Sequence, residues 1–135
     1  MGAPSCVPIF CLRDEASVKQ DQLPRVGAIV LAGGKSQRMG RDKALIELDG
    51  KPLISRVLEC VLPLCRETII VANDKEKYAR FGVRVVGDSY PGAGSLGGVF
   101  SGLRAVKEEF ALAVACDMPF LNQDLLRHLI RMATE

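Results

Sequence analysis

The sequence predicts an α/β fold of three layers, α/β/α, with a mostly parallel sheet between two layers of helices. Two observations carry this. From Val26 onward, short runs rich in β-formers alternate with segments of helical periodicity. The runs are also apolar throughout rather than alternately polar, as strands buried on both faces require.

Taken in order, Val26–Leu31 (VGAIVL) is the first such strand. Leu45–Leu48 suggests a small extended excursion, which Asp49-Gly50 would close with a tight turn. Leu53–Leu64 places Leu53, Val57, Leu58, Val61 and Leu62 on one helical face, and Pro63 ends the helix because it lacks an N–H. Thr68–Ala72 is a second buried strand, Glu76–Phe81 a short helix, and Val83–Val86 a third strand. Gly98–Val106 reads as a helix and Phe110–Ala115 as a fourth strand. Asn122 caps a final helix that runs through Leu125, Leu126, Leu129 and Ile130.

Length and composition narrow the function classes. The 135 residues suffice for one domain with a sizeable core. Residues 26–135 form that domain, and residues 1–25, with Pro4, Pro8 and Pro24 and no periodicity, read as a poorly ordered extension. The apolar stretch from Val7 to Leu12 is short and has no basic residue before it, so it is not read as a signal peptide. No apolar run reaches the roughly 18 residues of a membrane span, and a net charge of +2 is too small to argue for nucleic acid. Five cysteines, an odd number, suggest a reducing cytoplasm. Cys6 and Cys11, like Cys60 and Cys65, are spaced closely enough for a metal reading, but no histidine lies near either pair; incidental or buried thiols are the better reading. The single histidine, His128, falls on the last helix and is read as structural.

Ligands in such sheets lie beyond the carboxyl ends of the strands. The first strand ends at Gly33-Gly34, the second at Asn73-Asp74, the third at Gly87-Asp88 and the fourth at Cys116-Asp117. Polar and glycine residues therefore converge on one edge.

Residues Leu31 to Leu45, LAGGKSQRMGRDKAL, combine two adjacent glycines with Lys35, Arg38, Arg41 and Lys43. The P-loop pattern needs a glycine where Ile29 stands, and the dinucleotide fingerprint needs one where Lys35 stands, so both fail. What remains is a loop in which Gly33 and Gly34 let backbone amides approach a ligand. Arg38 and Lys43 follow at a distance that suits wrapping a polyphosphate. A glycine turn with a solvated basic face is the bland alternative. Asp88, before Ser89 and Pro91, could likewise start a turn, and Asp117 could be a cap.

LAGGKSQRMGRDKAL resembles the signature of nucleotidyltransferases that activate a phosphorylated acceptor with an NTP, and within them that of the molybdenum cofactor guanylyltransferases. The resemblance continues, in the family's order, through DGKPL (Asp49–Leu53), VAND (Val71–Asp74), VVGD (Val85–Asp88), GSLGGVFSGL (Gly94–Leu103) and ACDMPFL (Ala115–Leu121). It implies a Rossmann-like nucleotidyltransferase fold. It places the guanine and phosphate contacts on the backbone of Leu31, Ala32, Gly33 and Gly34, and a polyphosphate charge on Lys43, with Arg38 beside it. Asp88 falls in the family's nucleotide site and Asp117 on its magnesium ligand; Mg²⁺ needs only one or two carboxylates plus substrate phosphates. The family's asparagine aligns either with Asn73 or two residues earlier, at Val71. Lys43 and Asp117 carry the catalytic roles. Ser95 and Gly97 depart from the proline and alanine common in the family, which makes that loop more flexible. Its glycines, Gly94, Gly97 and Gly98, are turn residues or open a helix whose N-terminal amides receive anionic groups.

The implied reaction is attack by the terminal phosphate of molybdopterin cofactor on the α-phosphate of GTP, releasing pyrophosphate. An anion attacking an anion needs charge neutralisation and alignment more than a base. The implied partners are GTP, molybdopterin cofactor and molybdoenzyme maturation proteins. A CTP-dependent molybdopterin cytidylyltransferase shares RMG and the lysine but usually carries LAAG, so Gly33 favours guanine. Sugar-phosphate nucleotidyltransferases match less well, since their loop has G-x-G-T-R. A catalytically silent nucleotide-binding module is the alternative from another class. Family members continue well beyond the equivalent of Glu135, so the resemblance implies a domain incomplete at its C-terminus, with much of the acceptor half outside it.

Overall fold

The computed structural model describes residues 23–32 and 43–135. In chain order the strands are β1 (Val26–Leu31), β2 (Glu47–Leu48), β3 (Lys51–Pro52), β4 (Glu67–Val71), β5 (Arg84–Val86) and β6 (Phe110–Ala115). The helices are α1 (Leu53–Val61), α2 (Lys75–Tyr78), α3 (Gly94–Ala105) and α4 (Gln123–Thr134), with 3-10 turns at Lys43–Leu45 and Ala79–Phe81.

Four strands make one sheet in the order β5–β4–β1–β6, and every pair in it is parallel. Side chains alternate across β1 and so divide the core in two. Val26, Ala28, Val30 and Ala32 face a cluster with Ile54, Val57, Leu58 and Val61 of α1 and Leu126 and Ile130 of α4. Ile29 lies on the other face with Ile69 and Val71, against Leu31, Val86, Ala105 and Val106. Helix α3 covers this second face. The arrangement is the expected three-layer α/β/α fold with a parallel sheet.

The small hairpin β2–β3 turns at Asp49 and Gly50, whose φ angles of 52° and 79° are those of a type I′ turn. Arg56 of α1 holds it by donating to the Leu48 carbonyl at 2.8 Å. The residues just before β1 are also tied to the sheet. Arg66 donates to Leu23 O at 2.8 Å, and Phe110 N–H donates to Arg25 O at 3.3 Å. The expectation for residues 1–25 otherwise falls on residues outside the described ones.

Several boundaries differ from the sequence reading. The second main strand shifts by one residue, to Glu67–Val71, and the third starts one residue later, at Arg84–Val86. Helix α1 ends at Val61, not Leu64, because Pro63 has no N–H to extend the ladder; Leu64 and Cys65 both donate to Val61 O instead. Its buried face includes Ile54, while Leu53 and Leu62 are only half-buried. Helix α3 begins at Gly94 rather than Gly98. On α4, Leu126 and Ile130 are buried, whereas Leu125 and Leu129 are exposed. Among the described residues, no helix is long and apolar enough to cross a membrane.

Candidate functional site

The chain leaves β1 towards β4 and β5, then returns to the far side of β1 to form β6. The direction of winding reverses between β1 and β6, which makes their carboxyl ends the topological switch point where open α/β sheets bind ligands. Hydrogen bonds carry the ladder just past the strand ends. Cys116 N–H donates to Leu31 O at 3.0 Å, Ala32 N–H to Val71 O at 3.0 Å, and Ala72 N–H to Val86 O at 2.9 Å. Ala32, Asn73, Asp88 and Asp117 thus emerge along one stitched edge.

Asp117 stands at the switch point, two residues after β6 and next to Cys116, whose N–H bonds the end of β1. It is exposed, and among the described residues its carboxylate has no hydrogen bond or ion pair. A hard carboxylate with open lone pairs fits Mg²⁺, which completes its shell with water and substrate phosphates. Among the described residues there is no cluster of three or more potential metal ligands.

Asp88 and Asp117 follow the two outer strands of the sheet, β5 and β6, which lie three strand spacings apart, or about 14 Å between the strands at roughly 4.8 Å per spacing. Their two strands bracket the sheet, with the end of β1 between them.

Around Asp88, three successive backbone amides are each held by a different side chain. Asp88 N–H donates to Asn73 Oδ1 at 3.0 Å, Ser89 N–H to Ser101 Oγ at 2.9 Å, and Tyr90 N–H to Asp88 Oδ1 at 2.8 Å. Asp88 therefore does start a turn, as its bland reading has it, but only one of its oxygens is used there; Oδ2 has no partner among the described residues. Asn73 and Asp88 are brought together, by side chain to backbone.

Of the two readings of these glycines, turn residues or the opening of a helix, the structure has the second, with α3 starting at Gly94 in place of a flexible loop. Gly97 and Gly98 are buried within the helix. A Cβ at Gly97 would stand 2.7 Å from Tyr90 O and 3.2 Å from Asp88 Oδ1, so the absence of a side chain lets the turn after β5 lie against the helix.

Two residues that the sequence reading missed serve this edge. Tyr78 is buried, and its hydroxyl donates to Ala32 O at 3.2 Å, fixing the backbone just before the glycine loop. The second is Ser101. A tyrosine at the end of a short helix and a serine inside an apolar one gave no local signal. His128 lies on the exposed side of α4. Cys65 is buried, and desolvation pushes its thiol up to about 12. Cys60 donates to Leu121 O at 3.5 Å; its thiol is also raised, by burial first and by Glu59 second. Gly33, Gly34, Arg38, Cys6, Cys11 and the side chain of Lys43 lie outside the described residues.

The family model for the MobA-like NTP transferase domain matches residues 28–135. The chain belongs to this family. It is 42% identical over 103 residues to a probable molybdenum cofactor guanylyltransferase of Clostridium perfringens, an alignment that spans 76% of this chain and 52% of that protein. It is 40% identical over 118 residues to a molybdenum cofactor guanylyltransferase of Pseudomonas putida, spanning 84% of this chain and 61% of the relative. Among solved structures, it resembles molybdopterin-guanine dinucleotide biosynthesis protein A from Archaeoglobus fulgidus, with a TM-score of 0.61 and 33% identity over 76% of this chain and 53% of that one. The chain thus spans about half to three-fifths of the length of these curated relatives.

Proposed function

We propose that this chain carries the nucleotide site of a molybdenum cofactor guanylyltransferase, which transfers GMP from GTP to molybdopterin cofactor and releases pyrophosphate. The observation that carries this reading is the identity of 42% over 103 residues to a relative of that name. The exposed Asp117 carboxylate at the switch point, without a hydrogen bond or ion pair among the described residues, supports it. We place the reaction in the cytoplasm, with the product passing to molybdoenzyme maturation proteins; the unpaired thiols of Cys60 and Cys65 suit a reducing compartment.

In this reading Asp117 holds Mg²⁺, whose charge would offset that of the triphosphate. Lys43 and Arg38 add positive charge along the polyphosphate. The N–H and C=O of Ala32 are already bonded to Val71 and Tyr78, so the amides offered by Leu31–Gly34 are chiefly those of Gly33 and Gly34. Leu31 and Ala32 set where those amides begin. Asn73 and Asp88 border the nucleotide from the β4–β5 side. Nothing in the reaction calls for a nucleophilic side chain, because the acceptor phosphate is itself the nucleophile and the site aligns two anions.

A pyrophosphate-release assay with Mg·GTP and molybdopterin cofactor, on a full-length protein that adds the acceptor half to this chain, tests the assignment. Lys43→Ala and Asp117→Ala should each lower turnover about a hundredfold or more, the scale for losing one electrostatic stabiliser. Near-normal turnover in either variant would overturn the role given to that residue.

A further inference from the structure

We propose that Ser101 is a positioning residue, acting from α3, that sets the Asp88 carboxylate for the nucleotide. The inference rests on the nucleotide reading above and adds a residue to it. Ser101 lies in the third turn of α3 and is 6% exposed, a burial at which a hydroxyl must find partners. It has three. Its Oγ accepts from Ser89 N–H at 2.9 Å, and it lies 2.9 Å from Gly97 O and 3.4 Å from Asp88 Oδ1.

One hydroxyl has one proton to donate. The Gly97 carbonyl and the Asp88 carboxylate therefore compete for it, and rotation about the Cβ–Oγ bond passes it from one to the other. With the proton turned to Asp88, Oδ1 accepts two hydrogen bonds, from Ser101 Oγ and from Tyr90 N–H at 2.8 Å. That leaves Oδ2 as the acceptor for a ligand. With the proton on Gly97 O, the hydroxyl still holds Ser89 N–H, so the turn stays in place in either state.

The neighbouring contacts make the arrangement specific. Gly97 brings α3 close enough for Ser101 to reach the turn, since a Cβ there would meet Tyr90 O at 2.7 Å. Asn73 Oδ1 fixes the Asp88 amide from the other side at 3.0 Å. Asp88 is thus held from β4 through its backbone and from α3 through its carboxylate. Ser101 is the member of this set that touches both the turn and the carboxylate.

The test combines amide exchange with a double-mutant cycle on the 135-residue chain, using Mg·GTP as the probe. Ser101→Ala should raise exchange at the Ser89 amide about tenfold and weaken Mg·GTP binding by about the same factor, the scale of one lost hydrogen bond to a charged or buried partner. In an Asp88→Asn background the same substitution should weaken binding no further, because its effect runs through the carboxylate. Ser101→Thr, which keeps the hydroxyl, should restore both readouts. A purely structural serine would instead lower the unfolding midpoint and weaken binding equally in both backgrounds, and that result would overturn the proposal. So would unchanged exchange at Ser89. If the wild-type chain bound no Mg·GTP, the nucleotide reading itself would fail and this role with it. Binding by wild type that Ser101→Ala leaves intact would remove only the role of Ser101.

Discussion

Gly102 of α3 lies flat against Ile29 of β1: a Cβ at Gly102 would stand 2.5 Å from the Ile29 Cγ2 methyl. Ile29 is fully buried, so its branched side chain has no room to yield. Gly102→Ala gains roughly 1 kcal/mol of helix propensity but overpacks the layer between α3 and the sheet, at a cost of about 1–3 kcal/mol. The expected outcome in urea unfolding is a net loss of up to about 2 kcal/mol. Gly98→Ala should be milder, because its new methyl meets the flexible end of the half-buried Leu31 at 3.0 Å. Greater stability of Gly102→Ala than of wild type would contradict this packing.

Asp117 offers the opposite case, a residue whose loss should leave the fold alone. It is exposed and makes no hydrogen bond or ion pair among the described residues. Asp117→Asn should change stability by less than about 0.5 kcal/mol while weakening Mg²⁺-dependent GTP binding more than about tenfold. Thermal unfolding beside a GTP titration with and without Mg²⁺ separates the two effects. A drop in stability with binding preserved would make Asp117 a cap and not a ligand.

Burial of Cys65 gives a pH dependence whose sign can be stated. Desolvation raises its thiol from the ordinary value of 9.0 to about 12. Between these values the unfolded chain releases the proton and the folded chain keeps it. Stability is therefore full below pH 9 and falls as pH rises towards 12, by about 1.4 kcal/mol per pH unit for one such group. Urea unfolding at pH 8 and pH 10 should show that loss in wild type, and Cys65→Ala should show a smaller difference between the two pH values. Identical pH dependence in both would mean that the thiol is not shielded as described.

The strands were the most legible part of the sequence. Val26–Leu31 and Phe110–Ala115 have the bounds that their apolar runs suggest, because an uninterrupted run flanked by polar or glycine residues leaves little choice of register. The start of α3 was not legible. GSLGG reads as a loop on propensity alone, and its glycines at helical positions are explained by the closeness of Tyr90 O to Gly97 and of Leu31 to Gly98. The carboxyl edge was visible from the residues that follow each strand, but the distance between Asp88 and Asp117 depends on the order β5–β4–β1–β6, which no local pattern encodes. Ser101 and Tyr78 stayed hidden for a related reason: each acquires its partner only when a distant loop packs against it. Within the glycine loop, Gly33, Gly34 and Arg38 rest on the sequence pattern and the family.

We propose a guanine-selective Mg·NTP site on this chain, at the carboxyl edge between β1 and β6. Titration calorimetry of the chain with Mg·GTP and, separately, Mg·CTP tests it most directly. The bare backbone at Gly33 should admit the larger purine, so Mg·GTP should bind at least about tenfold more tightly than Mg·CTP. Tighter binding of Mg·CTP, or no heat with either nucleotide, would contradict the account.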